Sequence, residues 1–418
     1  MHRVGGLRIA AGATAFVSAS VFALLLTAPS CAAEPFGIGE WGEEVNICDG
    51  ELMLMHGSGD DLYAYMLDRL VMSPDLGSSW EEREGFNGHI FADGDTLYRV
   101  NVSDWPEEGT TILFSKSGDK GASWSTPVEV MDMGGWNDGA YGIFARGDDL
   151  VAYTYDYAGW SEGAILSSCS SDGGETWSDK VYVDDDVHVE DPLPNRLAYA
   201  HSKLYFTYWN YTDWVSDAKV TVIESSDMGA SWGDKHTVAI GGFEPLIVAD
   251  GDELYVTYLA EDGIYMTNSS DGDAWSTPEL VGPMTDLTDS SLLHSLVAVS
   301  GNLFVAYSDY VMADETYKIV LKHSPDDGET WTDLGDVPTT DHNCIVPALH
   351  YTPGLLHLTW VDVGTGSWYD EGVTQYRSLA LITGEEPIPE FPNGAFAIVA
   401  VAAMFVVFAA ASRRKRSR

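Results

Sequence analysis

Six short stretches of this chain repeat the pattern Ser-x-Asp-x-Gly-x-Ser/Thr-Trp, and so regular a repeat restricts the fold to architectures built from like units. The Asp carboxylate of each copy can accept hydrogen bonds from the backbone of its own turn, and the Gly can adopt the positive φ that a tight hairpin requires. The Trp can leave the turn and bury a large apolar face. The fifth copy is one residue short and lacks the usual glycine position. The six aspartates, predicted to be structural, are Asp75, Asp119, Asp172, Asp227, Asp271 and Asp326.

A second phrase precedes these turns and consists of an apolar strand, a Gly/Asp turn and a strand of alternating aromatic residues. Residues 89–100, 141–153 and 246–258 carry it, and it recurs around Leu62, Leu204, Leu303 and Leu356, which makes seven copies. Period-two alternation indicates strands, and a four-stranded repeat of about 44–55 residues is typical of a β-propeller. We therefore predict an all-β propeller of seven four-stranded antiparallel blades, with six blades as the alternative. The segment from Ile38 to Ile47 has no unit of its own, and we expect it to complete blade seven and close the ring.

The Ser-x-Asp turns are the Asp-box, or bacterial neuraminidase, repeat, and from about Asp49 to Thr383 the chain resembles the sialidase-like β-propeller superfamily. The resemblance implies that the Asp boxes lie on the face opposite the ligand-binding funnel and are structural, with a role as Ca²⁺ ligands as the alternative. True sialidases clamp their substrate with three arginines and carry a Phe/Tyr-Arg-Ile-Pro motif, which this chain lacks. Only Arg196 is expected to begin an inner strand. The resemblance therefore implies the fold without sialidase activity.

The first residues resemble a secretory signal. Arg3 and Arg8 precede an apolar stretch and small residues suited to cleavage, which predicts a signal peptide over residues 1–33, with an uncleaved anchor as the alternative. The propeller is then expected over residues 34–384.

The last residues predict a membrane attachment. A Pro/Glu linker (385–393) leads to an uncharged apolar run (394–412) about long enough to cross a bilayer, and the basic tail (413–418) should stay cytoplasmic. Pro389-Glu390-Phe391 resembles the archaeal PEF-type C-terminal sorting signal, which implies processing by an archaeosortase. A plain transmembrane helix is the alternative, and either attachment predicts an extracellular, cell-surface protein.

Charge limits the partners of the body. Seven of the 21 Lys and Arg residues lie in the two terminal segments, so the rest of the chain has 14 against 65 Asp and Glu, a formal net charge of −51. Phosphate binding needs the opposite sign, which excludes nucleic acid as a partner. The sequence has no metal-ligand spacing and predicts no cofactor, although the acidic run 184–191 leaves Ca²⁺ open.

Three cysteines remain after the predicted signal peptide, Cys48, Cys169 and Cys344. They leave room for one disulfide, for which Cys48 and Cys344 fit best because such a bond would join the two ends of the body.

Two sets of loops should form the functional face. One set is acidic and offers candidate catalytic carboxylates, namely Asp138, Glu190, Asp191, Glu244, Asp289 and Asp341. The other is aromatic and, together with residues at the funnel entrance, offers candidate ligand-binding residues, namely Trp160, Trp209, Trp214, Trp368, Arg196, His294 and His342. Aromatic rings beside carboxylates suit sugars, and a carboxylate pair can hydrolyse a glycosidic bond. Merely solvated acidic loops are the alternative.

These observations predict a surface-anchored module that binds a carbohydrate or a surface protein without sialidase chemistry. An extracellular glycoside hydrolase acting on neutral polysaccharide is the alternative. A true sialidase would need three convergent arginines.

Overall fold

Seven antiparallel sheets surround one central cavity in the computed structural model. The described residues are 36–50, 52, 54–66, 68–103, 110–133, 141–157, 163–187, 196–210, 217–285, 294–311, 316–337, 343–364 and 372–382. The seven-bladed prediction is confirmed, and the six-bladed alternative is wrong. The predicted signal peptide, PEF motif, transmembrane segment and basic tail lie outside these residues. Within them, no helix has the length and apolar character that a bilayer crossing requires.

The first two strands, β1 (Gly37–Trp41) and β2 (Val45–Asp49), precede blade one. Blade one comprises β3 (Leu54–Ser58), β4 (Asp61–Met66), β5 (Arg69–Ser73) and β6 (Glu81–Arg83). Blade two comprises β7 (His89–Asp93), β8 (Thr96–Val102), β9 (Thr111–Ser117) and β10 (Val128–Asp132). Blade three comprises β11 (Tyr141–Arg146), β12 (Asp149–Tyr157), β13 (Gly163–Ser170) and β14 (Val181–Val187).

Blade four comprises β15 (Leu197–Ala200), β16 (Lys203–Asn210), β17 (Lys219–Ser225) and β18 (Lys235–Ile240). Blade five comprises β19 (Gly242–Asp250), β20 (Glu253–Ala260), β21 (Gly263–Ser269) and β22 (Glu279–Pro283). Blade six comprises β23 (His294–Val299), β24 (Asn302–Val311), β25 (Thr316–Ser324) and β26 (Thr332–Asp336). Blade seven takes β27 (Cys344–Thr352), β28 (Leu355–Asp362) and β29 (Val373–Ile382) from the end of the body.

Five of the six Asp boxes are held by the same set of hydrogen bonds, as blade two shows. Ser117 Oγ donates to Asp119 Oδ1 at 2.8 Å and accepts from the Gly121 amide at 2.9 Å. The Ser123 amide donates to Asp119 Oδ1 at 2.8 Å, and the Ser123 hydroxyl donates to Oδ2 at 2.6 Å. These bonds lower the pKa of Asp119 to about 2. The turn therefore uses both oxygens of its carboxylate internally.

The glycine and tryptophan of each Asp box pack against the preceding blade. In blade three, Gly174 has φ +84°, and a Cβ placed there would lie 2.1 Å from the ring of Phe114 in blade two. The ring centroid of Trp177 lies 5.3 Å from that of Phe114. Each of the other box glycines abuts the blade before its own in the same way. The hydrophobic core accordingly lies in the seams between blades.

The fifth Asp box corrects one expectation from the sequence. Gly272 does fill the glycine role, because its amide donates to Ser269 Oγ at 2.9 Å and its φ is +79°. The shorter fifth box has Ala274 in place of the Ser or Thr, so the amides of Asp273 and Ala274 both donate to Asp271 Oδ1. The missing residue is the one before the glycine, which in other boxes also has a positive φ, for example Met228 at +53°. The shortened turn therefore omits a strained position and keeps its glycine.

The N-terminal strands close the ring, as predicted. Strand β1 pairs with β29 through Gly37 and Ile382, and β2 pairs with β29 through Val45 and Tyr376. Phe36 and Trp41 pack in the seam between blades six and seven, where the stacked rings of Phe36 and Phe304 have centroids 6.4 Å apart. Blade seven has no Asp box of its own, so these residues supply aromatic packing in the last seam.

The expected disulfide between Cys48 and Cys344 is wrong, because Cys48, Cys169 and Cys344 are all free thiols. Cys344 lies on the innermost strand of blade seven, and Cys48 lies on the outermost strand. Two strands separate them, which is roughly 14 Å at about 4.8 Å per strand. A disulfide spans about 4.4–6.8 Å between Cα atoms, so this bond cannot form across the sheet.

Candidate functional site

A cavity of about 580 Å³ lies where the innermost strands of all seven blades meet. Rings from blades one to four form one part of its wall, with centroids 5.3 Å apart for His56 and Phe91 and 5.1 Å apart for Phe91 and Phe144. Tyr199 continues this wall, and the guanidinium carbon of Arg146 lies 4.0 Å from its ring centroid. These rings are partly exposed and can stack on an apolar ligand face. Blades five and six contribute the aliphatic residues Leu246, Val248 and Val297.

Arg196 precedes β15 and lines the cavity although it is 1% exposed. Its Nη2 donates to Glu244 Oε2 at 2.8 Å, and its Nη1 donates to the Pro245 carbonyl oxygen. Both partners belong to blade five, so the guanidinium ties two blades together. Its charge is neutralised within the protein, which argues against a clamp for a carboxylate of a ligand.

A strained bulge positions Glu244. The register of β19 on β20 shifts between Phe243 and Leu246, and Glu244 has φ +48° although Pro245 follows it. A non-glycine residue with positive φ before proline is disfavoured twice, by its own Cβ and by the proline ring. Blade seven contains the same bulge, with Val346 at φ +53°. One backbone device therefore presents an acid in blade five and an apolar residue in blade seven.

His294 begins β23 beside this ion pair and is 6% exposed. Its Nε2 lies 2.8 Å from Thr257 Oγ1. Burial and the positive charge of Arg196 lower the pKa of His294 to about 3, so the imidazole is neutral near pH 7. The cluster of Arg196, Glu244 and His294 therefore carries no net charge.

The remaining predicted site residues divide into two groups. Trp209 is 4% exposed and packs against Phe243, with centroids 6.1 Å apart, which argues for a packing role. The others lie outside the described residues, namely Asp138, Glu190, Asp191, Asp289, Asp341, His342, Trp160, Trp214 and Trp368.

The acidic run suggested for Ca²⁺ begins with a carboxylate that is already engaged. Asp184 is 5% exposed and accepts a hydrogen bond from the Tyr208 hydroxyl. Its Oδ1 lies 2.7 Å from Lys235 Nζ. This arrangement joins blades three and four and leaves Asp184 poorly placed to bind a cation.

The aromatic wall of the cavity was not among the predicted site residues. His56, Phe91 and Phe144 each stand three residues before the first glycine of an inner hairpin turn, at Gly59, Gly94 and Gly147. That fixed position in the repeat is a signal by which sequence reasoning could have found them.

One solved structure shares the fold, and two others resemble this chain more weakly, all at low identity. An ulvan lyase of polysaccharide lyase family PL25 has a TM-score of 0.54 and 10% identity over 82% of this chain and 96% of its own. A Trypanosoma rangeli sialidase has a TM-score of 0.43 and 12% identity over 72% of this chain and 56% of its own. An α-L-arabinofuranosidase from Fusarium graminearum has a TM-score of 0.41 and 17% identity over 70% of this chain and 91% of its own. No curated protein matches the sequence.

The model of one protein family covers most of the propeller. It matches residues 107–358, more than half of the 418 residues. The matched range contains the last five Asp boxes, whose turns and seams are described above. The chain therefore belongs to the BNR repeat-like domain family.

Proposed function

We propose that this propeller binds a neutral carbohydrate at its central cavity and has no sialidase chemistry. The Arg196–Glu244 pair carries the proposal. Among the described residues that line the cavity, Arg196 is the sole arginine, and its charge is cancelled by Glu244. An acidic sugar would thus meet no arginine with an uncompensated charge among these lining residues and would approach a body of net charge −51.

The aromatic wall supplies the complementary argument. Pyranose rings present C–H faces to flat aromatic side chains, and Phe91 and Phe144 offer adjacent, partly exposed rings within the cavity. The ulvan lyase, which shares this fold, was solved with a glucuronic acid–sulfated rhamnose polymer. This polymer is anionic, and the acidity of the present chain favours an uncharged polysaccharide instead.

A glycan array with neutral, sialylated and sulfated members tests the proposal. We expect neutral glycans to bind, and we expect Phe91→Ala and Phe144→Ala to weaken that binding about tenfold or more. Tyr182→Ala is the matched control, because Tyr182 is 63% exposed on the outer strand of blade three. Binding restricted to sialylated or sulfated glycans, or to proteins, would contradict the proposal.

Release assays on the same glycans separate binding from catalysis. Glu244 is the one candidate carboxylate within the described part of the chain, and it is committed to Arg196. We therefore expect no release of sugar from neutral or sialylated substrates. Sustained release from a neutral polysaccharide would establish the hydrolase instead.

We further propose that the body is held at the outer cell surface by the C-terminal segment. The apolar run 394–412 followed by a basic tail supports this attachment. Cell fractionation should recover the full chain with membranes and a chain ending at residue 384 in the medium. Mass spectrometry of the mature C-terminus would show whether cleavage near Pro389, as an archaeosortase would make, occurs.

A further inference from the structure

The seam between blades four and five differs from the next seam in its hydrogen bonding. Between blades five and six, the Tyr255 hydroxyl donates to Asp327 Oδ1 at 2.6 Å. Asp327 is the residue before the glycine in the sixth Asp box, the position that the fifth box lacks. The equivalent Tyr205 of blade four is 0% exposed, and its hydroxyl has no hydrogen-bond partner within the described part of the chain. Burial of a hydroxyl without a hydrogen-bond partner is unfavourable, which suggests that a further group belongs beside Tyr205.

Beside the shortened box, three side chains of types that can bind a metal ion come together. Glu224 pairs with Tyr205, and His236 pairs with Val222, so Glu224, Tyr205 and His236 share the face of blade four that meets blade five. Asp273 reaches the same place from the fifth box, and one donor atom each of Glu224, His236 and Asp273 lies within 4.8 Å of the others. The His236 Nε2 atom is buried and makes no hydrogen bond to any described residue. The buried Tyr205 hydroxyl lies against Gly272, the residue before Asp273, because a Cβ on Gly272 would lie 2.1 Å from it.

We propose that Glu224, His236 and Asp273 form a site for a divalent transition metal ion, for which Zn²⁺ is the best match. One imidazole nitrogen with two carboxylates is a donor set that Zn²⁺ accepts. Ca²⁺ and Mg²⁺ prefer oxygen ligands alone. The site is at the seam, outside the central cavity, and is independent of carbohydrate binding.

The Lys203 ammonium group forms an ion pair with the Glu224 carboxylate. Its Nζ lies 2.8 Å from both oxygens of Glu224, and its side chain is 31% exposed. The lysine can therefore turn toward solvent when a metal ion binds. Metal and ammonium compete for one carboxylate, which gives the proposal a distinctive test.

Calorimetric titration of the full-length chain with ZnCl₂ at physiological salt, after chelator treatment, tests the site. We expect one Zn²⁺ per chain above the weak background that an acidic surface binds. His236→Gln and Asp273→Asn should each weaken this site at least tenfold, while the matched control His201→Gln, a histidine of the same blade outside the cluster, should not. Ca²⁺ should show the background alone.

Lys203→Gln supplies the second readout. Removal of the competing ammonium should tighten Zn²⁺ binding, and Co²⁺ should give a visible absorption band that His236→Gln abolishes. Far-ultraviolet circular dichroism and thermal unfolding of each variant without metal verify that the fold is intact. Zn²⁺ binding that is equal in wild type and His236→Gln, or unchanged in Lys203→Gln, would overturn the proposal.

Discussion

The glycine of each Asp box meets two demands at once, and blade three separates them. Gly174 has a positive φ and also faces Phe114 so closely that a methyl group would overlap the ring. Gly147, in the inner hairpin of the same blade, has φ +62° but nothing within 4 Å of a Cβ. The two glycines therefore share a backbone conformation but differ in the room that each has for a side chain.

Gly174→Ala should destabilise the protein by about 2–4 kcal/mol, because both backbone strain and overpacking apply. Gly147→Ala should cost only about 1 kcal/mol, the strain alone. Urea unfolding of both variants measures the difference. Equal losses in the free energy of unfolding would show that the side chains between blades two and three rearrange at little cost and that close packing at Phe114 contributes nothing.

The buried ion pair of Arg196, which lines the cavity, and Glu244 also permits a test by mutation. Glu244→Gln leaves the buried Arg196 guanidinium without its counter-charge and should cost about 3 kcal/mol. The double variant Arg196→Met/Glu244→Gln should recover part of that loss, since no buried charge remains unpaired. A double-mutant cycle by chemical denaturation measures the coupling. Additive effects would contradict a structural role for the pair.

At the scale of the strand, the closure of blade seven depends on a short N-terminal segment. Strands β1 and β2 cover the edge of β29, whose backbone groups would otherwise be open to another chain. Ile47 is 9% exposed and packs with Leu52 and Met55 in the core of the seam between blades seven and one. The segment thus contributes both a strand and part of a core.

A chain that begins at residue 51 should aggregate or unfold well below the wild-type melting temperature. Addition of a peptide with residues 36–50 should restore a monomer on size-exclusion chromatography, because the peptide can pair with β29. The same peptide with Ile47→Asp should fail, since a charge would enter the seam. A truncated chain that stays monomeric with unchanged melting would contradict this view of closure.

The strand pattern, the number of blades and the closing segment were predictable because they depend on local turn chemistry and on counting repeats. The distance between Cys48 and Cys344 was not, because it follows from the order of strands across one sheet. The burial of Trp209 likewise depends on Phe243 from the neighbouring blade. Glu224, His236 and Asp273 have no recognisable spacing because two neighbouring blades bring them together.

At the scale of the whole molecule, neutral histidines that are fully or partly buried link stability to pH. Burial lowers the pKa of His294 and His350 to about 3 and that of His357 to about 4. Unfolded histidines bind a proton below about pH 6.5, whereas these folded ones do not until pH 3–4. Their stabilising contribution is therefore complete above pH 6.5 and is lost as the pH falls toward 4.

The free energy of unfolding should fall between pH 6.5 and pH 4, by up to about 1.4 kcal/mol per pH unit for each histidine. His350→Gln should reduce this slope by up to about 1.4 kcal/mol per pH unit, which corresponds to one proton fewer taken up on unfolding. Below pH 4 the box aspartates take over, because the pKa values of Asp119 and Asp172 are lowered to about 2. Urea titrations at several pH values measure the slope, and an identical slope in His350→Gln would contradict the assignment.

The pairing of Gly37 with Ile382 determines which side of the propeller would lie nearest a membrane attachment at either terminus. Strand β29 runs toward the side of the Asp-box turns, where the Leu381 amide donates to Gly354 in the inner hairpin turn. Gly37 and Ile382, near the two limits of the described propeller, therefore lie side by side on the Asp-box side. A body attached to a membrane through either of these limits would have its Asp-box side toward the membrane, and the opposite side, where Arg196 precedes β15, would face away from it.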